Sequence, residues 1–356
     1  MRKELFSLSI TVSQTDMNKR VSVVIPCYQE AAHIDHLVDQ LLRQDYPAHL
    51  FEVIFADGGS TDGTWEKLEA HCAANPHFIL LDNPDKHVSQ GLNAAIKASS
   101  GEIIIRMDAH SEYPENYVSV LCLKLEEHSA DNVGGVWITE PGDDSLEARA
   151  IAIASAHPFG IGNASYRLGA VEDRATDTVP YGCFRRELFD RIGYFDTDLL
   201  RNQDDEFNGR IIRSGGSIWL IPSVQIWYKA RPTREKLSRM FYQYGFFKPL
   251  VNRKLGAPAS WRQFAPPALV LSGLICLLIV FLYPGTMWLF VLWATTYLMA
   301  LVAVTAVICA KKGWSLFIHL LFTWMTIHFS YGFGYLSGLM RWWLFSGRRI
   351  RVSDNR

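Results

Sequence analysis

Hydrophobic residues fall into two regimes along this chain, with the change near Phe264. Before it, short apolar runs alternate with amphipathic stretches; after it, apolar and aromatic residues dominate. In the first regime Val21 to Pro26 (VSVVIP) predicts a buried strand, and Ile34, Leu37, Val38, Leu41 and Leu42 recur at helical spacing across 30–44. Phe51 to Ala56, Phe78 to Leu81 and Glu102 to Met107 predict three further strands, the last around the β-branched run Ile103-Ile-Ile105. Helices are predicted over Thr64 to Ala74 and Val88 to Ser99. Strand–helix alternation at this spacing implies a parallel sheet with right-handed crossovers. Ligands of such sheets bind beyond the carboxyl ends of the strands.

In the second regime Ala265 to Tyr283 and Thr286 to Ala310 carry no charge and are each long enough for a hydrocarbon core that needs about 20 helical residues. Only Tyr283-Pro-Gly-Thr286 separates them, which predicts a helical hairpin, with Lys311-Lys312 returning to the side of Arg253-Lys254. The third apolar segment, Trp314 to Leu339, contains His319, His328, Gly332, Gly334 and Gly338. A crossing there would carry Arg341, Arg348, Arg349 and Arg351 to the outside; a re-entrant or interfacial path keeps them inside and agrees better with the positive-inside tendency. The chain thus divides into an extension (1–20), a catalytic-type domain (21–250), a linker at the membrane surface (251–264), a membrane region (265–340) and a basic tail (341–356).

Composition narrows the class. A net charge of −1 gives no electrostatic case for nucleic acid. The six cysteines are scattered without ligand spacing, which disfavours a disulfide framework or zinc site and fits a reducing compartment. Residues 1–20 lack an apolar core of signal-peptide length, so no cleaved signal is expected, and Met17 is an alternative start.

Pro26, Tyr28, Glu30, Asp57, Asp108 and His110 all fall at predicted carboxyl ends of strands. Asp108 and His110 are two residues apart, so in extended chain both side chains leave on one side and can close on one cation. An Asp-x-His turn capping a helix near Pro114 is the structural alternative. No GxGxxG turn follows the first strand, so an ordinary dinucleotide site is unsupported. Carboxylates at strand ends suit uracil or ribose recognition and a divalent cation that holds a diphosphate; for Asp57-Gly-Gly a plain turn is the alternative. Gln203-Asp-Asp-Glu206 opens a helix bearing Phe207, Ile211 and Ile212 and ended by Gly215-Gly216. Its acids supply either a general base or a helix-terminal charge cluster. Arg185, Arg186, Arg231 and Arg234 are candidates for diphosphate contacts or ordinary solvated arginines. Tyr242, Tyr244, Phe246, Phe247 and Lys248 suit a membrane surface or core packing.

The segments VSVVIPCYQE, FADGGSTDGT, KHVSQGLNAAIKASSGE, IIIRMDAH, VPYGCFRRELFDRIGYFD, NQDDEFNGRIIRSGG and YQYGFFKP, in this order across 20–250, resemble the inverting family 2 glycosyltransferases, in particular bacterial succinoglycan-type exopolysaccharide glucosyltransferases. The resemblance implies an α/β fold, a GT-A (Rossmann-like) nucleotide-sugar domain followed by C-terminal transmembrane helices. It implies that Pro26, Tyr28 and Glu30 line the uridine, that Asp57 accepts the uracil N–H, and that Asp108 is the first acid of the DxD motif. His110 stands where the final acid is usual, which keeps a ligand for Mn2+ or Mg2+ and removes one negative charge. Tyr228 stands where many relatives place a late metal-binding histidine. Asp204 matches the catalytic base, with Gln203 in place of the usual Glu; Asp205 is its neighbour, and Gln203, Asp205, Arg185 and Arg231 are the acceptor or diphosphate candidates. No QxxRW motif is present, which favours single-residue transfer over polymerisation.

The activity so implied is metal-dependent transfer of a hexose, glucose from UDP-glucose, to a lipid-linked saccharide in exopolysaccharide synthesis. The protein would be multi-pass in the inner (cytoplasmic) membrane with its catalytic domain cytoplasmic. The alternatives are a polyprenyl-phosphate sugar transferase and, from another class, a membrane protein whose sugar-nucleotide domain acts in export or assembly.

Overall fold

A computed structural model describes residues 18–258 and 260–344. The expectations for most of the N-terminal extension, for Met17 and for Arg348, Arg349 and Arg351 lie outside the described residues. The chain forms two compact units: one runs to Asp144 and resumes over Ala152–Ala230, and the other joins Ser145–Ile151 to the chain from Arg231 onward.

The first unit opens with β1 (Val21–Cys27), α1 (Ile34–Leu42), β2 (Phe51–Asp57), α2 (Thr64–Ala74), β3 (Phe78–Asp82), α3 (Val88–Ala98) and β4 (Ile103–Arg106). These match the predicted strands and helices to within a few residues. It continues through β5 (Ser111–Glu112), α4 (Tyr117–Glu127), β6 (Asn132–Glu140), α5 (Leu146–Ser155), whose residues as far as Ile151 group with the second unit, the short α6 (Pro158–Ile161) and α7 (Ser165–Leu168), β7 (Arg174–Ala175), β8 (Cys183–Arg185), α8 (Arg186–Ile192), α9 (Gln203–Arg213) and β9 (Ile218–Lys229).

The nine strands of the described residues form one sheet in the order β3-β2-β1-β4-β8-β6-β9-β5, with β7 on β9. The predicted parallel arrangement holds for β3, β2, β1 and β4. Beyond β4 the sheet is mixed, because β8 pairs antiparallel with both β4 and β6. Two apolar cores result. One holds Val23, Ile25, Phe55, Ile105 and Tyr117; the other holds Val24, Ile54, Leu92, Ile104 and Phe207. Alternate residues of β1, β2 and β4 feed opposite cores, as the period of two requires.

Register gives the sheet an overhang. Ile105 pairs with Cys183, and Cys183 with Val133, so Val133 of β6 stands level with Ile105 of β4. β4 ends at Arg106, whereas β6 runs on to Glu140 with β9 parallel beside it to Lys229. Two antiparallel steps make β6 parallel to β4 again, so the extra length of β6 and β9 projects past the carboxyl ends of β1, β2 and β4.

The second unit contains α10 (Arg234–Leu255), α11 (Ala265–Leu282), α12 (Met287–Lys312) and α13 (Phe317–Leu344). Three helical segments, Trp261–Leu282, Pro284–Lys312 and Trp314–Trp343, are long and apolar enough to cross a membrane. α11 and α12 form the predicted hairpin, joined through a Pro284–Thr286 turn and pinned where Trp293 Nε1 donates to Ser272 Oγ at 3.0 Å. α13 is one unbroken helix. The sequence places 234–250 with the soluble domain, yet α10 belongs to the second unit.

The reason is a glycine seam. A Cβ on Gly334 or Gly338 would lie 2.2 or 2.1 Å from the carbonyl oxygen of Tyr242 or Phe246, and one on Gly245 would lie 2.2 Å from that of Tyr331. Small residues at such a seam let two helix backbones touch. Gly334→Leu should therefore lower stability by at least about 1–3 kcal/mol, the scale of overpacking a tight contact. Thermal unfolding of the detergent-solubilised protein is the measurement, and an unchanged midpoint would refute the seam.

Candidate active site at the strand ends

The site is built where β1, β2 and β4 end. The loop after β1 is zipped to the loop after β2: Gln29 N donates to Ser60 Oγ at 2.9 Å, Glu30 N to Thr64 Oγ1 at 2.8 Å and Ala31 N to Asp62 Oδ2 at 3.1 Å. Gln29 takes a left-handed backbone, φ 57°, to make this turn. Asp57 is fully buried; its Oδ2 accepts from the amides of Gly59 and Ser60, and its Oδ1 from Ser60 Oγ at 2.6 Å. Thus Asp57 shapes its own turn, and contact with a base would call on a remaining lone pair. Tyr28 lies against Gly58, where a Cβ would come 3.3 Å from the ring. Pro26 is half-buried one residue before the end of β1.

Glu30 does more than line a cleft. Its Oε1 lies 3.0 Å from Nδ1 of His110, so the carboxylate orients the imidazole and assigns any ligation to Nε2. Asp108 is clamped at its backbone by Tyr113: the Asp108 amide donates to the Tyr113 hydroxyl at 2.7 Å. The Tyr113 amide in turn donates to Gln40 Oε1 at 2.7 Å, which ties the site to α1. α4 begins at Tyr117 with Asn116 as its N-cap residue, so Asp108 and His110 do not cap it.

Arg106, the last residue of β4, joins the two halves of the site. Its Nη2 donates to Asp108 Oδ1 at 3.1 Å and its Nη1 to Asp204 Oδ1. The guanidinium side chain is only 6% exposed and lies 5.6 Å from the centre of the Tyr181 ring. Burial works against its charge, but Asp108 and Asp204 outweigh that and push its pKa up. Its role is not among the expectations above; an arginine closing an isoleucine strand was the only available signal.

Asp204 sits in the first turn of α9, whose N-cap residue Asn202 is held at φ 62°. The acid cluster divides its work. Glu206 pairs with Arg210 one turn on, at 2.8 Å, while Asp204 leaves the helix to reach Arg106 on β4. Burial raises the Asp204 pKa; Arg106 opposes it, and the charges of Asp108 and Asp205 add to the rise, leaving it above the usual carboxylate range. Gln203 is buried beside it, and Asp205 is half-buried. Burial, helped by the charges of Glu30, Asp57 and Asp108, also pushes the Cys27 thiol up, which removes it as a nucleophile.

The overhang of β6 and β9 carries an aromatic wall. Trp137 stacks on Tyr228 at 4.2 Å and meets Tyr181 at 5.5 Å, and the Arg167 guanidinium lies 4.4 Å from the Trp137 ring centre. Tyr228 pairs with Ser111, so the residue standing in the late-histidine place does lie beside the His110 segment.

Two expectations need correction. Arg185 pairs with Ile103, at the opposite end of β4 from Arg106, and its guanidinium is used by the Leu125 and Ala130 carbonyls and by Glu126. Arg186 is tied in the same way to Gly101, Ile96 and Ser99. Neither arginine reaches a diphosphate at the strand ends. Arg231 and Arg234 begin the second unit, where Arg234 binds Glu147 at 3.0 Å. A separate cluster of Glu127, His128 and Asp173 has cation-ligand spacing, but Lys124 already neutralises Asp173 at 2.9 Å.

The model of the family described as glycosyl transferase family 2 matches residues 22–193. The succinoglycan biosynthesis protein ExoA of Rhizobium meliloti is 33% identical over 69% of this chain and 74% of its own length. The dolichyl N-acetyl-alpha-D-glucosaminyl phosphate 3-beta-D-2,3-diacetamido-2,3-dideoxy-beta-D-glucuronosyltransferase of Methanococcus voltae is 26% identical over 90% of this chain and 97% of its own. Among solved structures, the mannosyltransferase PcManGT of Pyrobaculum calidifontis, in complex with GDP-Man and Mn2+, superposes with a TM-score of 0.58 at 20% identity, covering 92% of this chain and 90% of that one. That likeness establishes the GT-A fold.

Tyr113→Phe removes the hydroxyl that receives the Asp108 amide, and a partly buried N–H left without a partner costs about 1–3 kcal/mol. The Asp108 amide should exchange with solvent faster while the β1 and β2 amides stay protected. Hydrogen exchange read by mass spectrometry is the check; equal protection in the variant would show that the clamp is not needed.

Proposed function

The chain belongs to glycosyl transferase family 2, and on that premise we propose that it is a membrane-anchored, inverting hexosyltransferase that moves glucose from UDP-glucose to a lipid-linked saccharide in exopolysaccharide synthesis. The observation that carries this reading is the convergence of Asp108, His110 and Asp204 at the carboxyl ends of the strands, with Arg106 between the two acids. The choice of donor is supported by the resemblance to succinoglycan-type glucosyltransferases. The lipid-linked acceptor is supported by the membrane-length helices and by the dolichyl N-acetyl-glucosaminyl phosphate in the name of the Methanococcus relative. We place the protein in the inner membrane with its catalytic unit in the cytoplasm, where nucleotide sugars are made.

In this reading Pro26, Tyr28 and Asp57 surround the uridine. A hydroxyl of the acceptor sugar attacks the anomeric carbon from the face opposite the diphosphate. The new C–O bond forms as the bond from C1 to the diphosphate oxygen breaks, its electron pair leaves with UDP, and the hydroxyl proton passes to Asp204. A carboxylate with a raised pKa is a stronger base than a free one, which suits this task. Asp108 and His110 fit a divalent cation of the Mn2+ or Mg2+ kind as one oxygen and one imidazole donor, the latter oriented by Glu30. Such an ion, when bound, neutralises the departing diphosphate; the PcManGT complex, with its Mn2+, supports the assignment. Asp205 remains a candidate on the acceptor side.

The activity itself is tested with membranes holding the full chain, by following UDP release from UDP-glucose with and without lipid-linked saccharide. Release that does not depend on acceptor, or glucose recovered on polyprenyl phosphate alone, would replace this acceptor. Asp204→Asn should lower turnover by about a hundredfold or more, the scale of a lost general base, with UDP binding retained. The wild-type rate should also fall as pH drops through the raised Asp204 pKa, because the base must be ionised. Arg106→Gln removes the group that holds that pKa down, so its acid limb should lie at still higher pH. A pH–rate profile of kcat/KM checks both, and superimposable limbs would sever the link between Arg106 and the base.

The cation assignment is checked separately by titrating UDP in the presence of each metal. Asp108→Ala should abolish metal-dependent UDP binding, whereas His110→Asp should retain it and shift preference from Mn2+ toward Mg2+. Unchanged affinity in Asp108→Ala would sink the assignment.

A further inference from the structure

α13 has the length and composition of a membrane span, but its contacts put both of its ends on one side. Its beginning follows Lys311 and Lys312 at the close of the α11–α12 hairpin, on the side from which α11 departs. Its second half then touches residues that precede α11. The Asn252 amide donates to the Tyr335 hydroxyl at 3.2 Å, Tyr335 meets the Phe264 ring at 5.9 Å, and Arg253 Nη1 donates to the Trp342 carbonyl at 2.7 Å. A helix that had crossed to the far side could not reach Asn252, Arg253 and Phe264 unless α10 had crossed as well.

α10 is unsuited to crossing. It carries Arg234, Glu235, Lys236, Arg239, Lys248, Arg253 and Lys254. It runs parallel to α13 along its whole length, from Arg234 beside Phe322, through Ser238 bonded to Ser330 at 2.8 Å and Tyr242 against Gly334, to Arg253 at Trp342. Arg239 therefore stands level with the middle of α13. Its side chain is 51% exposed, and its partner Glu235, 3.4 Å away, is 83% exposed. Were α13 to span, this open ion pair would sit near the bilayer centre. Each such charge costs about 2.5–3.5 kcal/mol there on an insertion scale.

We propose that only α11 and α12 cross the bilayer, and that α10 and α13 together form an interfacial platform on the leaflet from which α11 departs, seated on anionic lipid headgroups. The pair is amphipathic as such a platform requires. Met325, Phe333, Met340 and Trp343 of α13 are exposed apolar groups for the acyl boundary, and Lys236, Arg239, Arg253 and Lys254 of α10 are exposed cations for the headgroups. α13 is also the least apolar and most buried of the three candidate spans. His328 still leans on α12, where its Nδ1 lies 3.0 Å from the Tyr297 hydroxyl, so the first half of α13 slants against the hairpin before the second half follows α10. An even number of crossings returns the chain to its side of entry, in keeping with the positive-inside tendency.

This rests on the membrane anchoring proposed above, and the test separates the two. Single cysteines are placed in the full chain at Gly285 in the hairpin turn, at Trp343 and Met340 near the end of α13, and at Val171, which is 97% exposed on the catalytic unit. An impermeant maleimide is applied to intact spheroplasts and to lysed ones, with the unaltered chain as background. Gly285→Cys should react in intact spheroplasts, whereas Trp343→Cys, Met340→Cys and Val171→Cys should react only after lysis. Reaction of Trp343→Cys and Met340→Cys together with Gly285→Cys would overturn the platform and leave the anchoring intact. Protection of Gly285→Cys alongside Val171→Cys would overturn the anchoring and the platform together.

Discussion

A single buried guanidinium holds this catalytic unit's chemistry in place. Arg106 sits between Asp108 and Asp204, two carboxylates from chain segments nearly a hundred residues apart. Brought close in a part-buried cleft without a cation, they would repel and one would take up a proton. Arg106 removes that conflict and fixes the distance between them, because its planar fork offers two donors in one rigid geometry. Breaking such a pair leaves an uncompensated charge, which is far more damaging than never having built it. The Tyr113 clamp holds Asp108 at one end of that bridge, and the left-handed Asn202 opens the helix that carries Asp204 at the other.

The amino-acid pattern made the parallel half of the sheet readable because β1, β2 and β4 are predominantly apolar and β-branched or aromatic, interrupted before their last residues only by Ser22 and Glu52. The short antiparallel strands of the mixed half were not readable, since β8 has only three residues and β5 and β7 two each, too short for periodicity to register. Asp108, His110 and Asp204 could be singled out as acids and imidazole at element ends. Arg106 could not, because its meaning depends on a partner at Asp204 that only the folded sheet supplies. Arg185 misled for the converse reason: a strand-end arginine looks the same whichever end of the sheet it occupies, and antiparallel β8 sends it away from the cleft.

The same limit applies to the apolar half. Length and lack of charge identified α11 and α12 as a hairpin, since those properties belong to each segment alone. α13 was ambiguous because its path depends on what lies beside it. Two of its glycines, Gly334 and Gly338, are the contact surface against α10. Charge on one helix thereby constrains the depth of another that has little of its own.

The division of the chain into units bears on how such proteins can be rebuilt. Ser145–Ile151, a short stretch in the middle of the catalytic unit's sequence, belongs with the second unit, and Glu147 from it receives both the backbone and side-chain N–H of Arg234 at the start of α10. The two units are therefore stitched rather than strung together, and no single cut in the chain separates them. A chimera that exchanges membrane parts between relatives has to carry this seven-residue patch with it, or graft a matching acid, to give the new α10 its anchor.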